Sequence, residues 1–256
     1  EGDTALKAQD TALAERKFRQ ARAVDGSDSY AVLGLGDVAV ARNDDTEAER
    51  FYRQALRMDR GNSNAVRGLA NVYRRQSPER AMDFINTLSA SQRRSIDDIE
   101  RGLEDDRLEA QASVLESQGR WNQAAELHQR RLQLYPDSVW TLYRLAKARY
   151  AAGQHAQADA MFRGLARRQP TDADQVYAYG LYLSSSGRDE SALRHLDTLP
   201  RSQWSDNIQE LAQRLTLDRI FAEARELREA GREPEAIALL KRQPATDRID
   251  LTLADW

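Results

Sequence analysis

The sequence is poor in the residues that build disulfide bonds and many metal sites. Its 256 residues include no cysteine and only three histidines. The lack of cysteine excludes disulfide bonds and thiolate metal ligands. The histidines, at positions 128, 155 and 195, do not have the spacing of a metal site. We therefore expect no metal to bind.

Long apolar runs and an excess of one charge are also lacking. No window approaches 18 apolar residues free of charge, so no segment is expected to cross a membrane. The net charge is −3 with both signs interspersed, which argues against the clustered basic surface that nucleic-acid binding requires. The apolar fraction of 41% is modest for one globular core of this length, so an elongated protein with a thin, continuous core fits better.

The sequence does contain helical periodicity along nearly its whole length, and that pattern repeats. Within residues 139–172, large apolar residues and one small residue mark a first helix, helix A, and a glycine then marks a turn. A small and a large residue mark a second helix, helix B, and a proline closes the unit. This 34-residue arrangement resembles the tetratricopeptide pattern. The residues that carry it are Leu142, Leu145, Ala146, Gly153, Ala158, Phe162 and Pro170.

The same spacing recurs along the chain and predicts the fold. Small residues at positions 8 and 20 of each unit let the two antiparallel helices approach closely, and glycine at position 15 supplies the turn. One such hairpin cannot bury its apolar face alone, so neighbouring hairpins must stack. The sequence therefore predicts an all-α, tetratricopeptide-repeat α-solenoid wound as a right-handed superhelix. Further units begin at residues 29, 63, 105, 173 and 217, and residues 1–28 hold a partial one.

Two segments, 89–104 and 201–216, do not fit the repeat and resemble each other instead. Each carries three apolar residues at spacings of three and then four, which place them on one helical face. We predict one unpaired amphipathic helix in each insert, acting as a bend or hinge between repeat blocks at 1–88, 105–200 and 217–256. No proline separates either insert from the next helix A, so the two can be continuous. The apolar residues are Ile96, Ile99 and Leu103, and Ile208, Leu211 and Leu215.

Several stretches of the chain also resemble a particular family. They read LQLYPDSVWTLYRLAKARYAAGQ, DQVYAYGLYLSSSGR, WSDNIQELAQRL and RIDLTLADW. These stretches look like the periplasmic repeat region of the bacterial cellulose synthase operon protein C family, the outer-membrane cellulose export subunits. The likeness is most specific over 131–215 and 248–256, whereas the N-terminal third indicates only tetratricopeptide repeats.

That resemblance implies a location and a set of partners. We expect the chain to be a periplasmic segment of a longer protein, whose outer-membrane barrel it does not contain, and to make no membrane contact itself. The implied partners are other subunits of the cellulose synthesis and export complex, with nascent cellulose or peptidoglycan as further candidates. The implied role is a scaffold between the inner-membrane synthase and an outer-membrane pore.

Positions 2, 5, 9 and 12 of each helix A form one stripe that is predicted to line the inner groove of the solenoid. Aromatic rings there offer a large contact area at low entropy cost, and arginine adds directional hydrogen bonds. The stripe suits an extended peptide or a sugar chain, although its aromatic residues could instead pack between helices. The predicted groove residues are Trp140, Tyr143, Lys147, Tyr150, Tyr177, Asn64, Arg67, Asn71, Arg74, Arg225 and Arg228.

Patterns that would indicate catalysis are weak. Neighbouring acids such as Asp97 and Asp98 point apart on a helix, whereas a glycosidase needs two carboxylates across a cleft. His128 falls at a packing position and is expected in the core. We therefore expect no catalytic residue and no cofactor. Two hypotheses of function remain, an interaction scaffold with a ligand in its groove and a structural spacer whose groove binds nothing tightly.

Overall fold

The structure is a computed structural model that describes residues 1–166, 172–244 and 246–255, apart from the side chains of residues 165 and 166. Within these ranges all regular secondary structure is helical. The helices form successive antiparallel hairpins, which confirms the predicted all-α repeat fold. The prediction that Pro170 closes a repeat concerns a residue outside the described ranges.

The chain forms two compact units, residues 1–107 and 108–256. Helix α8 begins in the first unit and ends in the second. The helices up to α8 are α1 (Gly2–Lys7), α2 (Thr11–Val24), α3 (Ser29–Ala41), α4 (Asp45–Met58), α5 (Ser63–Gln76), α6 (Pro78–Asn86), α7 (Ala90–Arg94) and α8 (Asp97–Ser117). Those that follow are α9 (Trp121–Leu134), α10 (Val139–Ala151), α11 (His155–Ala166), α12 (Ala173–Ser185), α13 (Asp189–Leu196), α14 (Asp206–Glu229), α15 (Glu233–Lys241) and α16 (Asp247–Ala254).

Burial confirms the predicted register of the hairpins. Ala124 and Ala158, both at position 20, are completely buried where helices A and B meet. The small residue at position 8 faces the large one at position 24, since a β-carbon added to Gly180 would lie 2.7 Å from Leu196. A larger residue at either small position would therefore push the two helices apart. Position 20 is also completely buried in the other units, at Ala14, Ala48, Ala81, Ala192 and Ala236.

Turns between helices A and B mostly use the left-handed backbone region at position 15. The first two units place Gln9 and Asn43 there, with φ of 60° and 59°, which the glycine pattern did not identify. The unit at 63–88 is one residue shorter and turns instead through an extended Ser77, followed by Pro78. The predicted glycines have φ between 71° and 82° and are Gly119, Gly153, Gly187 and Gly231.

Many helices begin at a side chain that caps the first turn. Asp10, Asp44 and Asn62 accept hydrogen bonds from backbone N–H groups at 2.8, 3.0 and 3.0 Å. Ser138 and Asp172 cap α10 and α12 in the same way. Such caps satisfy N–H groups that have no partner within the helix and typically contribute about 1 kcal/mol each. Three of them, Asn62, Ser138 and Asp172, fix where α5, α10 and α12, which carry predicted groove residues, begin.

Each insert leads into a long helix that also forms the next helix A, which is the continuity that the absence of proline allowed. Helix α8 continues from insert 89–104 into the next helix A, and α14 does the same from insert 201–216. Nothing in either sequence breaks the helix, so it propagates. Short elements precede them, α7 in one case and a 3₁₀ turn at Arg201–Gln203 in the other. The predicted apolar residues are buried against the preceding hairpin, namely Ile96, Ile99 and Leu103, and Ile208, Leu211 and Leu215.

Candidate binding surface

Helix α10 carries four of the predicted groove residues along one side. Ser138 caps its N-terminus, and Leu145 and Ala146 on the side facing the hairpin partner are completely buried. The four predicted residues follow at spacings of three and four, so they form a continuous stripe. Trp140 is 45% exposed, and the half-buried members are Tyr143, Lys147 and Tyr150.

Three of the predicted aromatic residues contact one another at the surface. The Trp140 ring centroid lies 6.1 Å from that of Tyr143 and 5.8 Å from that of Tyr177 on α12, both in edge-to-face geometry. We call these three residues the aromatic trio. Edge-to-face pairs stabilise beyond simple apolar burial, so they hold the Trp140 ring in place while almost half of its surface remains exposed.

Polar groups beside the trio can bind a neutral ligand. Burial raises the pKa of the Tyr143 hydroxyl, and the neighbouring Arg144 guanidinium partly opposes that effect. The hydroxyl therefore stays protonated at neutral pH and can both donate and accept a hydrogen bond. Lys147 forms no ion pair within the part of the chain that the structure describes. An aromatic face next to these groups suits a ligand with apolar faces and hydroxyl or amide edges.

Tyr150, the fifth predicted residue of this region, takes part in a different set of contacts. Its ring stacks on His155 at 4.1 Å and meets Tyr182 edge-to-face at 6.0 Å. Its hydroxyl donates to the carbonyl of Ser186 at 3.3 Å, and the Arg188 guanidinium lies 5.4 Å from its ring. Tyr150 therefore joins the hairpin of α10 and α11 to that of α12 and α13, which is the packing role that the sequence left open for the aromatic residues.

An ion pair completes this joint between the two hairpins. Arg188 donates two hydrogen bonds to Asp159, at 3.0 and 2.9 Å, and the Tyr182 hydroxyl donates a third at 2.7 Å. Burial alone would raise the pKa of Asp159, but the hydrogen bonds from Arg188 and Tyr182 outweigh it and lower that pKa. We call Tyr150, Asp159, Tyr182 and Arg188 the hairpin joint.

The predicted groove residues on α5 lie in the first unit. Asn64 and Arg74 are exposed, and Asn71 is half-buried. Arg67 is already engaged by the start of α8, because it donates to both carboxylate oxygens of Asp98, at 2.7 and 2.8 Å, and to the carbonyl of Ser95 at 2.6 Å. The side chain predicted to meet a ligand thus anchors the first insert.

Arg225 and Arg228 are exposed on the second half of α14 and line an open cavity of about 680 Å³. Phe221 is buried at its floor, and the Arg248 guanidinium covers that ring at 4.2 Å. This cavity is a separate site from the aromatic trio. The structure therefore brings together three of the predicted groove residues and distributes the others over separate sites.

Comparison with known proteins identifies the repeat. Family profiles described as tetratricopeptide repeat match residues 1–65 and residues 115–182, together more than half of the chain. The chain belongs to the tetratricopeptide-repeat family. Both matched ranges contain hairpins in which position 20 is buried alanine, so profile and packing agree.

Two relatives that match the whole chain carry the same name. The chain is 68% identical over all 256 residues to "Cellulose synthase operon protein C" of Salmonella typhimurium strain LT2, and 64% identical over the same length to the Escherichia coli K12 protein of that name. In each case it spans 22% of the relative. This confirms the family resemblance seen in the sequence. Among solved structures, a tetratricopeptide repeat protein from Parabacteroides merdae aligns with 99% of this chain and 94% of its own, at 15% identity and a TM-score of 0.45.

The tetratricopeptide positions also point to a surface residue that the prediction omitted. Tyr30 occupies position 2 of its unit, as Trp140 does, and is 55% exposed. Its hydroxyl donates to Asp3, and its ring meets Phe18 edge-to-face at 6.4 Å. Applying the position rule to every repeat would have found it.

The burial of His128 and the apolar character of the helices test two further predictions. His128 is buried and its Nε2 lies 2.8 Å from a carboxylate oxygen of Glu116, which confirms that this histidine packs in the core. Among the helices of the described residues, none combines the length and apolar character needed to cross a membrane.

Proposed function

We propose that this chain is a scaffold segment of a bacterial cellulose synthesis and export complex. In this proposal it lies in the periplasm and links the inner-membrane synthase to an outer-membrane pore through protein–protein contacts and contacts with the glucan. The relatives' name and the repeat family support the cellulose and scaffold parts. The location, the linking role and the whole protein's partners are part of the proposal.

The observation that carries the glucan contact is the aromatic trio. A β-linked glucan is uncharged and presents apolar ring faces flanked by hydroxyl groups. Trp140 offers an exposed aromatic face, and the Tyr143 hydroxyl and Lys147 ammonium supply hydrogen-bonding groups beside it. A few side chains near the centre of a contact, often tryptophan or tyrosine, commonly contribute most of the binding energy.

Titration with cellohexaose tests this proposal directly. Saturable binding, followed by calorimetry and by tryptophan fluorescence, is expected for the unchanged chain and for Trp121→Ala, a tryptophan outside the stripe. Trp140→Ala should abolish it while leaving the circular dichroism spectrum and the melting temperature nearly unchanged. In the full-length protein, Trp140→Ala combined with Tyr177→Ala should reduce cellulose export.

A spacer is the second candidate function, and two contacts favour it. Arg67 is held by Asp98, and Tyr150 donates to the carbonyl of Ser186 within the hairpin joint. Both predicted groove residues therefore serve internal packing. Under this alternative, neither cellohexaose nor the periplasmic parts of the synthase would bind saturably. Binding of the synthase parts without cellohexaose would instead favour a peptide-binding scaffold.

A further inference from the structure

The first part of α14 continues the stripe of positions that carries the aromatic trio. With Ser205 counted as position 1, positions 5, 9 and 12 are Gln209, Gln213 and Thr216. At 3.6 residues per turn they lie on the side of the helix opposite Leu211, which is buried against the preceding hairpin. The stripe therefore changes from aromatic on α10 to amide and hydroxyl on α14. We call Gln209, Gln213 and Thr216 the amide stripe.

Packing between α12 and α14 places the amide stripe next to the trio. A β-carbon added to Gly180, at position 8 of α12, would lie 3.4 Å from Leu211, at position 7 of α14. Equivalent positions of the two helices are therefore neighbours. Position 5 of α12 is Tyr177, a member of the trio, and position 5 of α14 is Gln209. Since packed helices have axes about 8–10 Å apart, the amide stripe begins one helix beyond the trio.

The amide stripe lines an open cleft of about 940 Å³. Two half-buried apolar residues, Leu217 and Ile220, form part of the wall beside it. The volume is near the upper end of the range for ligand pockets. The cleft therefore has room for a ligand that extends beyond the trio.

The polar groups of the amide stripe are available to a ligand. Gln209 donates a hydrogen bond to the carbonyl of Trp204 at 3.4 Å, which orients its amide and leaves the oxygen Oε1 to accept from a ligand. The Gln213 amide and the Thr216 hydroxyl have no hydrogen-bond partner among the described residues. Amides and hydroxyls both donate and accept, so they match a ligand whose hydroxyl groups do the same.

Charged groups beside the amide stripe are of both signs. Glu210, Arg214 and Arg219 are exposed, and none of them forms an ion pair within the part of the chain that the structure describes. Arg201 is already paired with Asp197 at 2.8 Å. A strongly acidic or strongly basic ligand would meet charge of its own sign here, whereas a neutral ligand would not. The surroundings therefore favour an uncharged ligand.

We propose that the amide stripe is a second subsite for the glucan strand that the aromatic trio binds. The strand stacks a sugar face on Trp140, passes Tyr177, and exchanges hydrogen bonds through its hydroxyl groups with Gln209 and Gln213. The subsite rests on the proposed function and gives the strand a direction, across α10, α12 and α14 in turn. Burial of Leu211 against the preceding hairpin holds the two subsites in a fixed relation.

The first insert carries charged residues at the positions of the amide stripe. Asp97 and Arg101 are at its positions 5 and 9 and pair with each other at 3.1 Å. Glu104, at position 12, pairs with Arg107 at 2.6 Å. Because these groups already bind one another, the subsite is proposed for insert 201–216 alone.

Binding of cello-oligosaccharides of two lengths tests the subsite. Calorimetry and tryptophan fluorescence follow cellohexaose, which is long enough to span from α10 to α14, and cellobiose, which is too short to reach both subsites. Gln209→Ala combined with Gln213→Ala should weaken cellohexaose binding about tenfold, because each amide contributes hydrogen bonds, and leave cellobiose binding unchanged. Gln123→Ala combined with Gln133→Ala removes two exposed amides from α9 and should change neither affinity.

The outcomes separate the subsite from the proposed function. Cellohexaose binding that is unaffected by loss of both amides would overturn the subsite and leave the proposed function standing. Equal weakening of cellohexaose and cellobiose binding would also overturn the subsite, because the double variant would then be acting on the trio. If the unchanged chain binds neither oligosaccharide, the proposed glucan contact fails and the subsite fails with it.

Discussion

At the scale of single residues, the hairpins depend on a small side chain at position 20 and on the backbone conformation at position 15. The alanine at position 20 is completely buried in every unit, at Ala158 for example. The residue at position 15 adopts positive φ in six turns of the described chain, at glycine in four and at Gln9 and Asn43 in two. Side-chain size matters at position 20 and backbone freedom at position 15, so substitutions at the two positions have different consequences.

Replacing Ala124 or Ala158 with leucine should destabilise the chain. Three additional carbon atoms must be accommodated where helices A and B are in contact, and such overpacking costs about 1–3 kcal/mol. Thermal or urea unfolding measures the loss. Ala160→Leu, at an exposed position on α11, should have almost no effect. Equal stability of all three variants would mean that the register is wrong.

Replacing Gln9 with glycine should stabilise the chain. A residue with a β-carbon is strained at φ of 60°, and glycine relieves that strain at some cost in unfolded-state entropy. The expected net gain is about 0.5–1 kcal/mol in the free energy of unfolding. Asn43→Gly should gain less, since asparagine tolerates this conformation better. A loss of stability in Gln9→Gly would show that its side chain makes a stabilising contact.

At the scale of helices and hairpins, neighbouring elements are joined by polar contacts as well as by apolar packing. In the hairpin joint, Asp159 on α11 accepts hydrogen bonds from Tyr182 on α12 and from Arg188 in the next turn. In the first unit, Arg67 on α5 holds the start of α8 through Asp98. These contacts fix how one hairpin meets the next element.

Asp159→Asn should lower the stability of the chain in a pH-dependent way. The pKa of Asp159 is lower in the folded chain than its value of about 3.9 in an unfolded one. The carboxylate therefore stabilises the fold fully above about pH 4, and this contribution is lost as the pH falls through the folded-state pKa. Losing charge-assisted hydrogen bonds should cost about 1–3 kcal/mol at pH 7.

Urea unfolding between pH 7 and pH 3 measures this difference. The gap between the unchanged chain and Asp159→Asn should stay constant down to about pH 4 and shrink below it. Asp137→Asn changes an exposed carboxylate and should have no comparable effect. A gap that persists undiminished at pH 3 would contradict the role given to the carboxylate.

At the scale of the whole molecule, the chain alternates between hairpins and long continuous helices. Helices α8 and α14 each begin as an insert and end as a helix A. Repeat proteins are held together by contacts between nearest neighbours only. A place where the regular pairing of helices A and B is interrupted is therefore where bending should be easiest, as the sequence predicted for the two inserts.

Distances between paired spin labels should vary most across the inserts. The chain lacks cysteine, so engineered cysteines are the only labelling sites. Labels at Ala160 and Arg194 report on one hairpin block and should give a narrow distribution, whereas labels at Arg194 and Glu229 span insert 201–216 and should give a broader one. Distributions of equal width for the two pairs would exclude a localised hinge.

The sequence by itself determined the repeat and its register. Position 20 is alanine in every unit because only a small side chain fits between the paired helices, and that constraint is local enough to leave a periodic signal. The apolar spacing in the inserts likewise specified a helical face, buried at Ile96 and Ile208 among others. Such patterns are visible because each depends on residues close together in the chain.

Only the tertiary structure decided how individual surface residues are used. Trp140 and Tyr150 share one stripe on α10, yet one remains exposed in the aromatic trio and the other is taken up by Arg188 and Tyr182. Arg67 is engaged by Asp98, which lies 31 positions further along the chain. The partner of a long side chain depends on which distant element packs beside it, and helical periodicity carries no information about that.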